Sequence, residues 1–375
     1  MGYNHFQETM VDVYFRHTHY DDSDLKQIVF DMMNAMGGDS ISAGAKVIIK
    51  PNFLLAAGPG KGVTTHPSIL RYVAEFIIDK GCKPVISDSP PMGSFEKILS
   101  KGGYVKALSG LDVVFRPFRE SAKIDIGKPF GVVDIAKEVL DADVVINLAK
   151  LKTHAQMLLT LGVKNIFGCV IGLKKPEWHF RAGTDREMFA RLVVQIYQAV
   201  SPTMTIIDGV LALEGQGPGK SGTPRELNLL AGSQNAIAAD MAISSVLGLE
   251  PKDLLTNEAA RQLQLIPEDI HVHGEFNILT DFNFPEMGSL AIGPEILQGF
   301  MRKHVLQKPM SDNEKCKLCG ECWRYCPVKA IGHHIKGIRF NYDSCIRCYC
   351  CLEICPYGAI TIREPLLGRL FRKQE

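Results

Sequence analysis

The chain reads as an α/β protein, a mostly parallel sheet with helices on both faces, followed by a small α+β domain at its C-terminal end. Two observations predict this. Short β-branched runs alternate with amphipathic helical stretches through the first four-fifths of the sequence. Nine of the eleven cysteines are then crowded between residues 316 and 355. At 375 residues, 46% hydrophobic and 22% charged, the chain has room for one large core and one small one. The expected division is a large domain over 1–305, a small one over 306–365 joined through LQKPMSDNEK (306–315), and a tail at 366–375.

The elements follow in order. VDVYF (11–15) predicts a strand, and 23–36 a helix with Leu25, Ile28, Val29, Met32, Met33 and Met36 at helical spacing, ended by Gly37 and Gly38. Lys46–Ile49 is a β-branched strand. Pro67 opens a helix whose Ile69, Leu70, Val73, Phe76 and Ile77 form one face, closed at Gly81. Further strands are expected at Val85–Ser87, Val113–Phe115, Val144–Leu148, Thr205–Ile207 and Leu227–Leu230, with helices at 186–200 and 236–247.

Polar residues gather where these strands stop: Lys50 and Asn52, Asp88 and Ser89, Asn147 with the run Lys150–His154 (KLKTH), and Asp208. Open α/β sheets bind ligands outside the carboxyl ends of their strands. Lys164, Asn165, Gly168, Cys169, Lys174, Lys175 and His179 follow downstream, and several cations in one neighbourhood point to a carboxylate or phosphate ligand. The competing reading makes the lysines solvated loop residues, His154 and His179 ordinary packed or surface histidines, and His66 a helix cap. The run Glu214–Pro224 contains GKS, but a phosphate loop requires glycine where Glu214 stands, and a strand rather than a helix follows. It is instead a glycine loop closing over a site, or a plain hairpin turn.

The cysteines repeat one spacing, C-x-x-C-x-x-C-x-x-x-C-P, at Cys316, Cys319, Cys322, Cys326 and Pro327 and again at Cys345, Cys348, Cys351, Cys355 and Pro356. The offset of 29 carries on through PVKAI and PYGAI, so the segment is an internal duplication. This is the ligand pattern of two 4Fe-4S clusters. Structural zinc favours separated C-x-x-C knuckles, and a disulfide framework is out of place in a chain of this size with no secretory leader at its start. Cys350 is left over, and Cys82 and Cys169 are single cysteines in apolar surroundings.

The C-terminal segment resembles the bacterial two-cluster ferredoxins. That resemblance implies crossed ligand sets: Cys316, Cys319, Cys322 and Cys355 for one cluster, and Cys345, Cys348, Cys351 and Cys326 for the other. The larger domain, through KVIIKPNF, TTHPSILRYV, VISDSPP, VVINLAKLKTH, LGVKNIFGCVIG, TIIDGVLALEGQGP and AIAADMAISSVLGL, resembles the family called domain of unknown function 362 over about 44–250. Its motif positions fall here on Lys50, Asn52, Lys150, Lys152, His154, Lys164, Asn165, Asp208 and Glu214. Members are often fused to a ferredoxin-like module, and the resemblance implies no substrate.

A net charge of +1 and the lack of a membrane-length apolar run give no reason to expect nucleic acid or a membrane, so a soluble cytoplasmic protein is expected. No G-x-G-x-x-G follows a strand, and an organic cofactor is not identified. Three functions compete. One is an oxidoreductase that draws electrons from a protein donor and passes them to an anionic small molecule, with Lys50, Asn52, Asp88, Asn147, Lys150, Lys152, Lys164, Asn165 and Glu214 binding it and His154 or Asp208 delivering protons. Another is an electron carrier that only docks a partner enzyme. The last is a non-redox enzyme with structural or sensing clusters.

Overall fold

The computed structural model describes residues 10–90, 94–171, 174–182, 185–285, 307–334, 337–363 and 365. The expected junction at 305/306 and the tail at 366–375 lie outside the described residues. The large domain is built on one nine-stranded sheet. Its strands are β1 (Met10–His17), β2 (Val47–Pro51), β3 (Val85–Ile86), β4 (Val114–Phe115), β7 (Val144–His154), β8 (Leu158–Thr160), β9 (Met204–Gly215), β10 (Gly222–Ser233) and β11 (Asp269–His273). They run in the order β11-β1-β10-β9-β7-β2-β3-β4, with β8 hydrogen-bonded to β7. The β11–β1, β9–β7, β7–β2, β2–β3 and β3–β4 pairs are parallel. The fold class expected from the alternation is the one observed.

Parallel strands at the centre of such a sheet must be covered on both faces, and the two-residue period of a strand does the sorting. Val47 and Ile49 of β2, with Ile146 and Leu148 of β7, pack beneath helices α1 (Leu25–Ala35) and α2 (Pro67–Asp79). Their neighbours Ile48 and Val145 face the opposite core, which holds Phe189, Leu192, Val193 and Ile196 from the helix Arg186–Val200. The α2 start is as the sequence dictates: Pro67 needs no amide partner at the first position, and His66 Nδ1 accepts a bond from the Ser68 amide at 3.2 Å. The helix Ala236–Val246 is capped by Asn235, whose side chain accepts from the amides of Ile237 and Ala238.

Several elements differ from expectation. β7 does not stop at Leu148 but continues to His154, buried along its whole length, so KLKTH is strand rather than loop. β10 is a twelve-residue partner of β9, and the glycine run 214–224 turns this hairpin, with Gly215 opposite Gly222. A separate hairpin, β5 (Ser121–Asp125) with β6 (Val132–Ala136), and the edge strand β11 were not foreseen.

The C-terminal region is a compact α+β unit: β12 (Lys308–Ser311) pairs with β15 (Ile360–Arg363), β13 (Ile331–His334) pairs with β14 (Gly337–Phe340), and two short helices span Glu321–Arg324 and Cys350–Ile354. It docks on the large domain. Ala155, just past β7, joins the core of this unit, Ser221 Oγ donates to the Ile360 carbonyl, and Gly219 sits so close to the Glu353 carbonyl that a Cβ would approach to 2.8 Å.

Candidate functional site

Where the ends of β2, β3 and β7 meet the helix Cys350–Ile354, the two units line a partly open cavity of about 100 Å³. Lys50, at the end of β2, is fully buried and its Nζ lies 3.1 Å from Asp88 Oδ1, just after β3. Gly168 closes in on this pair: a Cβ there would lie 2.5 Å from Lys50 Nζ and 2.6 Å from Asp88 Oδ1, so only glycine fits. Asn165 Nδ2 donates to Asn147 Oδ1 at 2.8 Å, while its Oδ1 accepts from Asn52 Nδ2 at 2.8 Å. These amides hold one another rather than a ligand.

Lys152 and His154 project to one side of β7 because they are two residues apart. Lys152 Nζ donates to Asn52 Oδ1 and the Val63 carbonyl, both at 2.7 Å, and so has only neutral partners. His154 Nδ1 accepts from the amides of Gln156 and Met157, each at 3.2 Å, which leaves the ring proton on Nε2, 2.8 Å from Glu353 Oε1. Lys164 lies over the rings of Phe167 and Phe189 at 4.9 and 5.4 Å. Lys175 Nζ donates to the Ser89 carbonyl. His179 stacks on Phe189 with centroids 4.2 Å apart, and among the described residues its Nδ1 and the hydroxyl of Thr160 have no partner.

Burial dominates the ionisation of these groups. It pulls the Lys152 ammonium down to about 7, despite Glu353, and Lys175 to about 8, despite Asp88. Lys164 is lowered for the same reason, and His179 falls to about 3. Burial also pushes the Glu353 carboxyl up, but His154, Lys164 and His179 outweigh it and hold the group at about 2. The cavity is therefore under-supplied with negative charge.

Of the sequence candidates, Lys50, Asn52, Asp88, Lys152, His154, Lys164 and Asn165 line the cavity, and Asn147, Lys150, Asp208 and Glu214 do not. A register irregularity between Lys150 and Lys152 turns Lys150 the other way, where its Nζ meets Asp208 Oδ2 at 2.8 Å. Asp208 also accepts from Tyr20 Oη at 2.6 Å and the His66 amide at 2.8 Å, so this carboxylate is an internal tie and not a cavity group. Asn147 is spent on the Gly162 carbonyl, Thr205 and Asn165, and Glu214 on Arg225 and the Asn283 amide. Sequence reasoning did not find Thr160, Pro218, Tyr325, Cys350 or Glu353 in the wall. Glu353 carried one faint signal, a charge inside a helix otherwise given to cysteines and apolar residues. Pro218 shows that the glycine run is a hairpin turn and also a part of the wall.

The cysteines come together across the duplication. Cys316, Cys319, Cys322 and Cys355 line one small recess, and burial pushes the Cys322 thiol up to about 12, with Cys355, Cys319 and Cys316 adding to the effect. Cys326, raised by burial, has Cys348 and Cys345 for electrostatic neighbours. The amides of Ala330 and Ala359 each donate to a cysteine sulfur four residues back, Cys326 and Cys355, at 3.2 Å, so the duplication extends to its hydrogen bonds. Crowded thiols, half of them buried, with amide donors fit an iron–sulfur cubane, whose irons would supply the missing positive charge. Each ligand of a cubane takes its own iron, so the sulfurs need not converge on a point; among the described residues no three metal-binding side chains do. Cys350 belongs to neither set, but its thiol is hydrogen-bonded to that of Cys348, and it lines the lysine cavity. Among the described residues no helix is long and apolar enough to cross a membrane.

The comparisons with known proteins follow the two units. Residues 47–245 match the family described as Domain of unknown function (DUF362), and residues 308–356 match the 4Fe-4S dicluster domain. A thylakoid-associated protein of Synechocystis is 40% identical over 230 residues, 61% of this chain and 71% of that one. Pyruvate synthase subunit PorD of Thermotoga maritima is 44% identical over 61 residues, 16% of this chain and 60% of the subunit. Among solved structures, the lactate racemase apoprotein from Thermoanaerobacterium thermosaccharolyticum aligns with a TM-score of 0.40 at 13% identity, over 64% of this chain and 58% of that one, a likeness too slight to build on. The C-terminal unit is a ferredoxin-type iron–sulfur domain, with a role in electron transfer.

Proposed function

We propose, from the premise that this chain belongs to the Domain of unknown function (DUF362) family, that it is an iron–sulfur oxidoreductase: two 4Fe-4S clusters take electrons from a protein partner and pass them to an anionic small molecule in the lysine cavity. One observation carries the reading. The wall of the cavity is shared between buried lysines of the α/β domain (1–305) and the helix Cys350–Ile354 of the cluster domain (306–365), which bears Cys351 between its cavity residues Cys350 and Glu353. A ligand held there lies against the segment that ligates a cluster. The crossed sets Cys316, Cys319, Cys322, Cys355 and Cys345, Cys348, Cys351, Cys326 would hold the two clusters, the first set including the exposed Cys319 and the second lying next to the cavity through Cys351.

The clusters supply one-electron reduction when bound. The remaining work falls to the chain: Lys152 and Lys164 bind the anion, Lys50 and Asp88 fix each other and the floor of the cavity, and Glu353 orients His154. Proton delivery belongs to Lys152, ionising near neutrality, or to His154, since Asp208 has no access to the cavity. The likeness of the cluster domain to a subunit of pyruvate synthase supports a protein on the donating side. The reducing cytoplasm is the expected address, and the thylakoid-associated relative makes a membrane surface the competing one, a choice that cell fractionation decides.

The test is anaerobic purification with iron and sulfide counting, followed by mass spectrometry of any small molecule released on denaturation. About eight irons per chain and a released anion that reoxidises the reduced clusters are expected. Reduced protein that no extract fraction reoxidises any faster than a Lys152→Ala variant would refute the oxidoreductase reading in favour of a carrier.

A further inference from the structure

The cavity wall carries a charge imbalance that constrains its ligand. Four ammonium groups, Lys50, Lys152, Lys164 and Lys175, face two carboxylates, Asp88 and Glu353. Lys50 is neutralised by Asp88 at 3.1 Å, and Glu353 is engaged by His154 at 2.8 Å. Lys152 and Lys175 are hydrogen-bonded to neutral oxygens, and Lys164 lies over aromatic rings; none of the three has a carboxylate at ion-pair distance among the described residues. Buried cations without counter-charge are costly, and an anion that supplied two negative charges would balance the wall.

Two further features of the wall point to a ligand. His179 Nδ1 and Thr160 Oγ1 line the cavity, belong to residues only 4% exposed, and lack a partner among the described residues; Glu353 Oε1, 2.8 Å from His154 Nε2, also makes no hydrogen bond there, and as an acceptor it calls for a donor rather than an anion. Buried polar groups of this kind are normally satisfied. Size sets the other limit, because about 100 Å³ falls well short of the roughly 300–1,000 Å³ of pockets for drug-sized ligands.

We infer that the cavity binds a short-chain dicarboxylate, its two carboxylates divided among Lys152, Lys164 and Lys175, with the Thr160 hydroxyl and His179 as further hydrogen-bonding partners. The inference rests on the reading of this cavity as the substrate site and names the class of molecule that enters it. The test is calorimetric titration of the full chain, anaerobically reconstituted and oxidised, with malonate, succinate, glutarate, acetate and inorganic phosphate. One of the three dicarboxylates should bind at least tenfold more tightly than acetate or phosphate. Lys164→Met, which removes no hydrogen bond among the described residues and relieves a buried uncompensated charge, should leave the iron content unchanged and not lower the melting temperature, and it should shrink that advantage to within threefold, with Lys175→Met as a second check. Acetate matching the best dicarboxylate, phosphate binding most tightly, no binding at all, or an advantage that survives both substitutions would each overturn the inference. No electron moves in this measurement. A dicarboxylate that binds but fails to reoxidise reduced clusters therefore counts against the oxidoreductase reading alone.

Discussion

Lys150 and Asp208 share every sequence feature of a binding lysine and a catalytic acid, yet their geometry is that of a structural pair, and substitution separates the two roles. Both side chains are essentially inaccessible, at 1% and 0% exposed, with Nζ 2.8 Å from Oδ2. Replacing Lys150 by methionine leaves a buried carboxylate without its counter-charge, a change that costs about 3–5 kcal/mol in buried pairs. Asp208 keeps the Tyr20 hydroxyl at 2.6 Å and the His66 amide at 2.8 Å, which places the loss near the lower end of that range. At about 2–4 °C per kcal/mol, the melting midpoint should fall by roughly 6–12 °C. Adding Asp208→Asn removes the stranded charge, so the double variant should be more stable than the sum of its single changes by about 1–3 kcal/mol. The assay is urea or thermal unfolding of the parent, both singles and the double, alongside succinate titration at a temperature where all four are folded. Additive losses, or a Lys150→Met protein that melts normally but no longer binds, would refute the structural assignment.

Gly168→Ala drives a Cβ to 2.5 Å from Lys50 Nζ and 2.6 Å from Asp88 Oδ1, so it should weaken dicarboxylate binding at least tenfold in calorimetry while the cluster absorbance stays unchanged. Cys350→Ala should retain about eight irons per chain by colorimetric assay, whereas Cys351→Ala should lose the iron of one cluster. Anion affinity should decline by up to tenfold per pH unit above about 7, because the free cavity holds Lys152 increasingly neutral there and binding must take up a proton; calorimetry in buffers of different ionisation heat measures that uptake. The same depressed lysine gives the opposite sign for folding. Its unfolded form keeps the proton to higher pH, so its contribution to stability should rise between about 7 and 10.5, and a flat anion-affinity profile from 6 to 9 would exclude a titrating Lys152 from the binding step.

What the sequence revealed depended on whether a residue's partners were local. Val47–Ile49 and the helix from Pro67 announce themselves because the periodicity that buries them is written in a few consecutive residues. The far half of β7 does not, since Lys150, Lys152 and His154 are strand residues made polar by what they face and buried by segments distant in the chain. Strand-end logic named residues of which seven line one cavity, but separating the lysine that meets Asp208 from the lysine that meets the cavity required the irregularity between β7 and β9, which leaves no mark in composition. The ferredoxin-type domain was legible for the opposite reason: a cubane takes three ligands from one short loop, so the cysteine spacing is a local signal.

The duplicated cysteine motif carries one more piece of information, in the places where its halves differ. At an offset of 29, Cys350 corresponds to Glu321 and Glu353 to Arg324. In the first copy that pair lies 3.4 Å apart, with Arg324 68% exposed, as expected of a helix face turned to water. In the second copy the same two positions are a buried thiol and a carboxylate held by His154 against the lysine cavity. Ligand spacing, the proline and the amide-to-sulfur bonds are common to both halves, so cluster binding alone cannot account for the difference. It arises from docking: once the second copy packs on β7, an arginine at position 353 would add a further cation to a wall already short of negative charge, while glutamate relieves it. Glu353→Arg should therefore disrupt the contact between the two units, and Arg324→Glu, its counterpart at the water-facing position, should not.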